Sequence, residues 1–410
     1  MPDEGIRIGL VLAGGAARGA YEVGVLEHVV TEVAKDLGFD ITFDILCGTS
    51  VGAINVACLA AFADEPRSRV ARLDNVWSSL RVTDILRPLR GGWIETVRGL
   101  LGRGSEPMSA VFQSLPVERL LSESIPFERI GTHLREGRLH GVTVSATQVS
   151  SGRTVVFVQR KQASPSPWPE TPAVLPKAVR LRPAHILASA AVPMLFPSVR
   201  IDGRHYCDGG LRQNIPLSPA RRLGATHILV VNPKHQDRRE ASHGETGTRE
   251  TGAPSPLFLL GKTFNALLLD RIDNDLDRLE KINAIIAAGE RRYGSDFAAS
   301  ISEELGYPPT RGLRNLETVH ISASENITHL CAEYVRRPEF SVPGMLGRLM
   351  KRLAEDTDRR ESDLLTFVLF DGGFARRLIE LGRHDARAHH EALCRLFAAR
   401  GPRTEAPVLG

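Results

Sequence analysis

The order of apolar runs and glycine turns at the start of the chain constrains its fold more than any other feature. Residues 6–12 are rich in branched apolar side chains, as in a buried strand, and glycines separate them from a helical pattern at 20–35. A second short strand is predicted at 43–47 and an apolar helix at 51–62. Since strand–helix–strand units place their strands parallel, we expect an α/β fold with a mainly parallel sheet.

The rest of the sequence indicates further elements and changes in character after residue 235. We predict helices over most of 68–135, strands at 139–149 and 153–159 that form a hairpin, a proline-rich loop at 163–176, helices at 184–191 and 217–223, an extended run at 198–206 and a strand at 227–232. Residues 1–235 are therefore expected to form a core. Residues 236–256 are polar and charged, which favours a flexible loop. Residues 257–400 are expected to form a mainly helical C-terminal part that packs on the core, with a late strand near 318–321.

Bulk composition excludes several classes of protein. The 410 residues are 42% apolar and 24% charged, as in ordinary globular proteins. A balance of 52 basic against 48 acidic residues argues against a nucleic-acid-binding protein, which usually carries a clustered basic footprint. The five cysteines are widely spaced and include no CxxC pair, so we expect a reducing compartment and neither a disulfide framework nor a metal site.

The sequence GTSVG at 48–52 falls between a predicted strand and a predicted helix, with Ser50 at its centre. This is the context of a nucleophile elbow, in which a strained turn projects a serine hydroxyl from the edge of the sheet. Gly48 and Gly52 remove Cβ atoms beside the turn, and the following helix points its amino-terminal amides at the same place. The pattern alone also fits a structural turn whose serine caps the helix.

Small residues also follow the first predicted strand, where GGAARG occupies positions 14–19. Successive small residues let backbone N–H groups converge on an anion, either a phosphate or the oxyanion of a tetrahedral acyl intermediate. A dinucleotide-binding loop is the alternative, but Ala16 replaces its second glycine and only Asp40 offers the acid expected further on. The candidate anion-binding residues are Gly14, Gly15, Ala16, Arg18 and Gly19.

A third motif, Asp208 followed by Gly209 and Gly210, comes directly after an extended run. On its own such a tripeptide is usually a turn. A carboxylate at the end of a strand can, however, take the proton of a serine directly, without a histidine between them. Because ligand sites of open α/β sheets form at the carboxyl edge, we expect the three motifs to meet there.

In this order, the motifs resemble those of the patatin-like phospholipases in their bacterial form. The resemblance rests on GGAARGAY at 14–21, GTSVG at 48–52, ASAAVPMLFP at 188–197 and DGG at 208–210, and more loosely on LFDGGFA at 369–375. It implies a three-layer α/β/α sandwich with a helical C-terminal extension. It also implies hydrolysis of carboxylic ester bonds in lipids, with no cofactor.

The resemblance assigns roles to single residues. Ser50 matches the nucleophile and Asp208 the catalytic aspartate, while Gly14, Gly15 and Ala16 match the oxyanion loop and Arg18 its basic residue. The family usually has glycine where Ala16 stands. The amide N–H survives this change, so the added methyl group bears on substrate size and rate more than on mechanism.

Other mechanisms and functions stay open at this point. A serine–histidine–aspartate triad would draw on His320, His227 or His205. A general carboxylesterase or acyltransferase would use the same Ser50–Asp208 pair. A nucleotide- or phosphate-binding regulatory protein would use the loop at 14–19, but it would leave the serine and the aspartate without a role.

The expected partner is a lipid or another acyl ester. Two stretches are candidates for contact with a lipid surface. Residues 83–103 combine apolar side chains with four arginines and Trp93, a pattern of helices at anionic bilayers and of cap helices packed on a core. Residues 345–351 are a weaker candidate. No stretch predicts a signal peptide or a membrane span, so we expect a cytoplasmic protein with at most peripheral contact at the inner face of the membrane. The sequence does not predict an oligomeric state.

Overall fold

A computed structural model describes residues 5–87, 110–161, 168, 170–235, 272–306, 312–360 and 363–402. The strands within these ranges are β1 (Ile8–Leu12), β2 (Ile45–Thr49), β3 (Gly141–Gln148), β4 (Thr154–Arg160), β5 (Val174–Ala178), β6 (Val199–Ile201), β7 (Arg204–Asp208), β8 (His227–His235) and β9 (Glu317–Ala323). The helices of the amino-terminal half are α1 (Ala20–His28), α2 (Ala34–Leu37), α3 (Val51–Ala61), α4 (Ser68–Ser79), α5 (Val82–Ile85), α6 (Leu115–Ser124), α7 (Phe127–Arg135), α8 (Pro183–Ala190) and α9 (Leu217–Arg222). The later helices are α10 (Ile272–Tyr293), α11 (Phe297–Glu304), α12 (Ile327–Arg336), α13 (Gly344–Arg360), α14 (Gly372–Ala388) and α15 (His390–Ala398).

One sheet organises these elements. Its main path runs β5-β4-β3-β2-β1-β8-β9, and the neighbouring pairs are parallel except for β3 and β4, which form the predicted antiparallel hairpin. The central strand β1 is fully buried, because helices cover the sheet and no side chain of the strand reaches water. The predicted fold class is therefore confirmed, a mainly parallel sheet flanked by helices, followed by a helical C-terminal region.

The C-terminal helices pack directly on the first helix of the core. A Cβ atom at Gly24 in α1 would overlap the carbonyl oxygen of Ile379 in α14, and one at Gly382 would overlap the carbonyl oxygen of Tyr21. The glycines thus permit a close crossing of the two helices. The Tyr21 hydroxyl donates a 2.9 Å hydrogen bond to Asp385 Oδ2 across the same contact.

The predicted proline-rich loop at 163–176 is wrong at its carboxyl end. Residues 174–176 belong to β5, which pairs in parallel with β4 and places Pro176 opposite Val156. The strand lies at the edge of the sheet, where a residue without an N–H donor is tolerated, so proline did not exclude a strand here.

Other predicted elements differ mainly in their bounds. The helix predicted at 20–35 is α1 and α2, joined by a wider π-type turn at Val29–Val33. The strand predicted at 43–47 continues to Thr49, and the late strand predicted at 318–321 is β9. The predicted loop at 236–256, the helical pattern at 257–271 and residues 88–103 of the basic amphipathic stretch lie outside the described residues.

Candidate active site

Two strands that run towards each other bring Ser50 and Asp208 together. Strand β2 pairs with the first part of β3 and leaves it at Thr49, which lies opposite Ser145. Strand β7 takes over the same edge of β3 from the other direction and ends with Asp208 opposite Ala146. The carboxyl ends of β2 and β7 therefore meet, although 158 residues separate the two side chains in the chain.

Ser50 lies in the tight turn between β2 and α3. Its backbone has φ 54° and ψ −124°, a strained conformation for a residue with a Cβ atom. The Ser50 amide donates to Ser189 Oγ (2.8 Å), and the Ser189 hydroxyl in turn donates to the carbonyl oxygen of Ser145 (2.6 Å). The Ser50 side chain does not cap α3, so the structural-turn alternative does not describe its hydroxyl.

The glycines beside Ser50 are required by close packing. A Cβ atom at Gly48 would overlap the carbonyl oxygen of Gly52, and one at Gly52 would lie 2.7 Å from the carbonyl oxygen of Ala13. The amino-terminal end of α3 therefore packs on the carboxyl end of β1, beside the glycine-rich loop. This contact fixes the direction in which the serine leaves the turn.

Asp208 is buried and uses both carboxylate oxygens. Ser50 Oγ donates a 2.6 Å hydrogen bond to Oδ2, and the Gly210 amide donates a 2.7 Å bond to Oδ1. Burial raises the pKa of Asp208 to about 7, although the two hydrogen bonds act in the opposite direction. A Cβ atom at Gly209 would overlap the carbonyl oxygen of Ser145, so the chain can turn after the aspartate only with a residue that has no side chain. A carboxyl group with a pKa near 7 can both accept and release a proton near neutral pH.

The loop after β1 lies against Ser50. A Cβ atom at Gly14 would lie 3.1 Å from Ser50 Cβ, and the Gly14 amide is held by Asn214 Oδ1 at 2.8 Å. Ala16 has φ 50°, in the left-handed region that favours glycine. Among the described residues, the amides of Gly15 and Ala16 have no hydrogen-bond acceptor. These two N–H groups are therefore available to an anion.

Two other residues of the same loop are held by the surrounding structure. The Arg18 side chain is 4% exposed and donates to Thr366 Oγ1 through Nε (3.1 Å) and Nη2 (2.9 Å). The carbonyl oxygen of Gly19 accepts a 3.1 Å hydrogen bond from Asn55 Nδ2. Arg18 thus braces the loop against the C-terminal part of the chain.

An apolar cavity opens beside Ser50. Among the described residues, the lining side chains are apolar except for the hydroxyls of Ser50 and Ser114 and the indole of Trp77. The walls come from the loop after β1, α3, α4, α6, α8 and the segment before α14, with Ala16, Ile54, Trp77, Val117, Leu187 and Phe370 as representatives. A cavity of this composition can bind a hydrocarbon chain and offers little to a polar ligand.

The histidines considered for a triad lie elsewhere. His227 begins β8, at the opposite end of the parallel strands from Ser50, and faces Glu317 at 3.6 Å. His205 Nδ1 lies 3.0 Å from Ser198 Oγ. His320 is in β9, which β1 and β8 separate from β2. The Ser50 hydroxyl meets a carboxylate where a triad would have an imidazole.

A family model described as Patatin-like phospholipase matches residues 10–221, more than half of the chain. The chain belongs to the patatin-like phospholipase family. The match contains Ser50, Asp208 and the loop at 14–19, so these residues lie in the part that defines the family. The helices from α10 to α15 lie beyond it.

Patatin-like relatives match this chain at low identity. A "cGAMP-activated phospholipase" of Pseudomonas aeruginosa is 28% identical over 210 residues, which are 50% of this chain and 53% of the relative. The human "Patatin-like phospholipase domain-containing protein 6" is 24% identical over 239 residues, 58% of this chain and 14% of the relative. This chain thus spans about half the length of the first relative and a much smaller part of the second. The crystal structure of VipD from Legionella pneumophila aligns with 91% of this chain and 67% of its own, at 12% identity and a TM-score of 0.35.

Sequence reasoning missed the residues that hold the site together. Asn214 carries no recognisable spacing signal, because its partner Gly14 is 200 residues away. Ser189 lies in the block at 188–197 that resembles the family, so a signal existed although no role was assigned to it. Within the described ranges, no group of three or more His, Cys, Asp or Glu side chains is arranged to hold a metal ion. None of the described helices is both long and apolar enough to cross a bilayer.

Proposed function

We propose that this protein is a serine lipid acyl hydrolase of the phospholipase or lysophospholipase type, with Ser50 as nucleophile and Asp208 as general base. The observation that carries the proposal is the 2.6 Å hydrogen bond from Ser50 Oγ to Asp208 Oδ2 beside an apolar cavity. A nucleophile and a base within hydrogen-bond reach are the geometric signature of an activated serine.

Asp208 takes the proton of Ser50 as Oγ attacks the carbonyl carbon of a lipid ester. The negative charge that develops on the carbonyl oxygen is stabilised by the amides of Gly15 and Ala16, which are preorganised by the turn after β1. Collapse of the tetrahedral intermediate releases the alcohol or lysolipid, which takes up the proton from Asp208. The acyl group then remains on Ser50 as an ester.

In the second half of the reaction Asp208 again acts as the base, with water in place of the Ser50 hydroxyl, and finally returns the proton to Ser50. Asp208 removes a proton from a water molecule, and the water attacks the acyl-enzyme through a second oxyanion at the same amides. The intermediate collapses to free fatty acid, and Ser50 recovers its proton. The Gly210 amide can hold Oδ1 through both halves, which leaves Oδ2 facing first the Ser50 hydroxyl and then the attacking water.

The acyl chain of the substrate is expected to occupy the apolar cavity. Each methylene group transferred from water to such a site contributes about 0.8 kcal/mol, so a chain of ordinary lipid length supplies most of the binding free energy. The lining residues that the structure describes include no charged side chain, which favours a neutral hydrocarbon over a polar acyl group.

A fluorophosphonate probe tests the nucleophile directly. We expect covalent labelling at Ser50, mapped by mass spectrometry, and its loss in Ser50→Ala. Ser114→Ala is a matched control, because its hydroxyl lines the same cavity but bonds to no carboxylate in the part of the chain that the structure describes. Labelling that persists in Ser50→Ala, or that disappears in Ser114→Ala, would contradict the assignment.

A lipid panel read by mass spectrometry then tests the reaction. Wild-type protein is expected to release fatty acid from phospholipids or lysophospholipids, and Ser50→Ala is expected to release none. Hydrolysis confined to short, water-soluble esters would instead indicate a general carboxylesterase, and transfer of the acyl group to an added alcohol would indicate an acyltransferase.

A further inference from the structure

A short segment outside the matched family region reaches the candidate active site. Residues 364–370, here called the C-terminal wall, follow α13 and lead into α14. The segment begins within a 3₁₀ turn, Asp363–Phe367, and its residues 364–369 are buried. It contacts the site in two ways, through the oxyanion loop and through the apolar cavity.

The first contact is polar and acts on the oxyanion loop. The fully buried Thr366 accepts two hydrogen bonds from the Arg18 guanidinium, and Thr328 lies 3.5 Å from the same group. The Arg18 amide donates a 3.0 Å hydrogen bond to the carbonyl oxygen of Gly15, which closes the turn around Ala16. Arg18 therefore connects the C-terminal wall to the backbone that carries the two available amides.

The second contact is apolar and forms part of the cavity. The rings of Phe367 and Phe370 line the same cavity as Ser50, together with Trp77 from α4. The Arg18 guanidinium also lies over the Phe367 ring, at 5.9 Å from its centroid. One segment thus touches both the loop expected to bind the oxyanion and the surface expected to bind the acyl chain.

We propose that the C-terminal wall is a specificity element of the hydrolase, which limits the length of the acyl chain through Phe370 and positions the oxyanion loop through Thr366. The inference rests on the proposed function, because it takes Ser50 as the nucleophile and the cavity as the acyl site. In this scheme Phe370 contacts the substrate, whereas Thr366 is a positioning residue that acts through Arg18.

Alkyl fluorophosphonates of increasing chain length test the role of Phe370 in the full-length protein. Phe370→Ala enlarges the cavity and is expected to raise the ratio of long-chain to short-chain inactivation rates about tenfold, while Phe370→Trp lowers it. Phe340→Ala is the matched control, because this buried ring packs on Tyr334 away from the cavity. A ratio in both Phe370 variants that stays within about twofold of wild type, with native thermal unfolding, would overturn the role of Phe370.

Thr366→Val tests the role in positioning. Loss of the acceptor leaves a buried guanidinium less well held, so we expect inactivation about tenfold slower at every chain length, with the chain-length ratio unchanged. In substrate assays kcat is expected to fall and KM to stay constant. Thr366→Ser retains the hydroxyl and is expected to recover most of the rate. Equal rates in Thr366→Val and wild type would refute the positioning role.

Binding of fatty acids to Ser50→Ala separates the inference from the proposed function. In this background the Kd for C8 to C18 fatty acids is measured by calorimetry, with and without Phe370→Ala. If Phe370→Ala shifts the chain length of the fatty acid that binds most tightly, the role of Phe370 in chain-length selection is supported. If, in addition, no probe labels Ser50 in the wild type, only the proposed hydrolase function fails. If Ser50 is labelled but Phe370→Ala shifts the length preference in neither assay, the specificity role of the C-terminal wall is rejected and the proposed hydrolase function stands.

Discussion

The chain contains two Asp-Gly-Gly tripeptides, at 208–210 and 371–373, and the fold uses them for different purposes. Asp208 ends a strand, is 1% exposed and faces Ser50. Asp371 is only half-buried and caps the amino terminus of α14. Its Oδ1 accepts hydrogen bonds from the amides of Gly373 (3.0 Å) and Phe374 (3.2 Å).

The local geometry of the two tripeptides is nevertheless alike. In both, Oδ1 accepts a hydrogen bond from the amide two residues further on, which is Gly210 in one case and Gly373 in the other. The difference lies in the remaining partners, since Asp208 Oδ2 accepts from the Ser50 hydroxyl whereas Asp371 Oδ1 also accepts from Tyr334 Oη at 2.5 Å. The tripeptide therefore sets a local turn, and the strand before it and the distant partner decide whether the carboxylate faces a serine hydroxyl or caps a helix.

The largest expected difference between the tripeptides is in catalysis. Asp208→Asn removes the proposed general base and should lower kcat/KM for ester hydrolysis by about 10³-fold. Asp371→Asn, made on the same scaffold, should leave kcat/KM within about threefold of wild type, because capping needs only an acceptor oxygen. Steady-state kinetics on one lipid ester compares the two variants. Comparable losses of kcat/KM in the two variants would contradict the assignment of catalysis to Asp208 and of capping to Asp371.

The pH dependence of kcat/KM should also reflect Asp208 and not Asp371. Asp208 must be ionised to act as a base, and burial raises its pKa to about 7. The value of kcat/KM should therefore fall about tenfold for each pH unit below 7 and level off above it. Asp371→Asn should keep this profile. A wild-type profile that is flat between pH 5 and 8 would contradict the role of Asp208 as base.

The same pKa shift predicts a stability effect of definite sign. The folded protein holds the Asp208 proton more tightly than the unfolded chain, so this group stabilises the fold below the unfolded pKa of about 3.9, and the contribution is lost as pH rises through about 7. Relative to Asp208→Asn, the wild type should therefore lose free energy of unfolding between pH 4 and 7. Urea unfolding at a series of pH values measures this difference, and a gain over that interval would contradict the burial of the carboxyl group.

The amino-terminal motifs of the site were predictable because each is local. The GTSVG turn reveals itself through the strand before it and the helix after it, and the placement of Ser50 at the carboxyl edge follows from parallel strands. The meeting of Ser50 with Asp208 was a prediction from ordered motifs, and the shared edge of β3 explains the contact. The catalytic roles stay predictions that the experiments above test.

The parts that sequence reasoning did not reach depend on distant partners. Nothing near Arg18 in the chain indicates that its guanidinium meets Thr366, 348 residues away. Similarly, the sequence around Phe367 and Phe370 gives no sign that both rings line the cavity beside Ser50. The edge strand β5 was missed for a different reason, because Pro176 suggested a loop and the position at the sheet edge was not visible in the sequence.

A smaller effect is expected for the stability of the cap. Asp371→Ala removes the acceptor for two helix amides and the partner of Tyr334 Oη, and should lower the free energy of unfolding by about 1–2 kcal/mol. Because α14 packs on α1, the loss should appear in global urea unfolding. Asn326→Ala, which removes a comparable cap from α12, is a suitable reference and should give a loss of similar size. No loss in Asp371→Ala would show that the cap is dispensable.

Asp371→Asn should change stability least, and it tests whether the cap of α14 needs a charge or only an acceptor. Asparagine and aspartate are similar helix caps, so the amide oxygen should still accept from Gly373 and Phe374, and the free energy of unfolding should change by about 0.5 kcal/mol or less. At position 208 the same substitution keeps an acceptor for Gly210 but cannot take a proton from Ser50. If Asp371→Asn is as destabilising as Asp371→Ala, the charge rather than the acceptor holds the cap, and the distinction between a capping and a proton-accepting carboxylate fails.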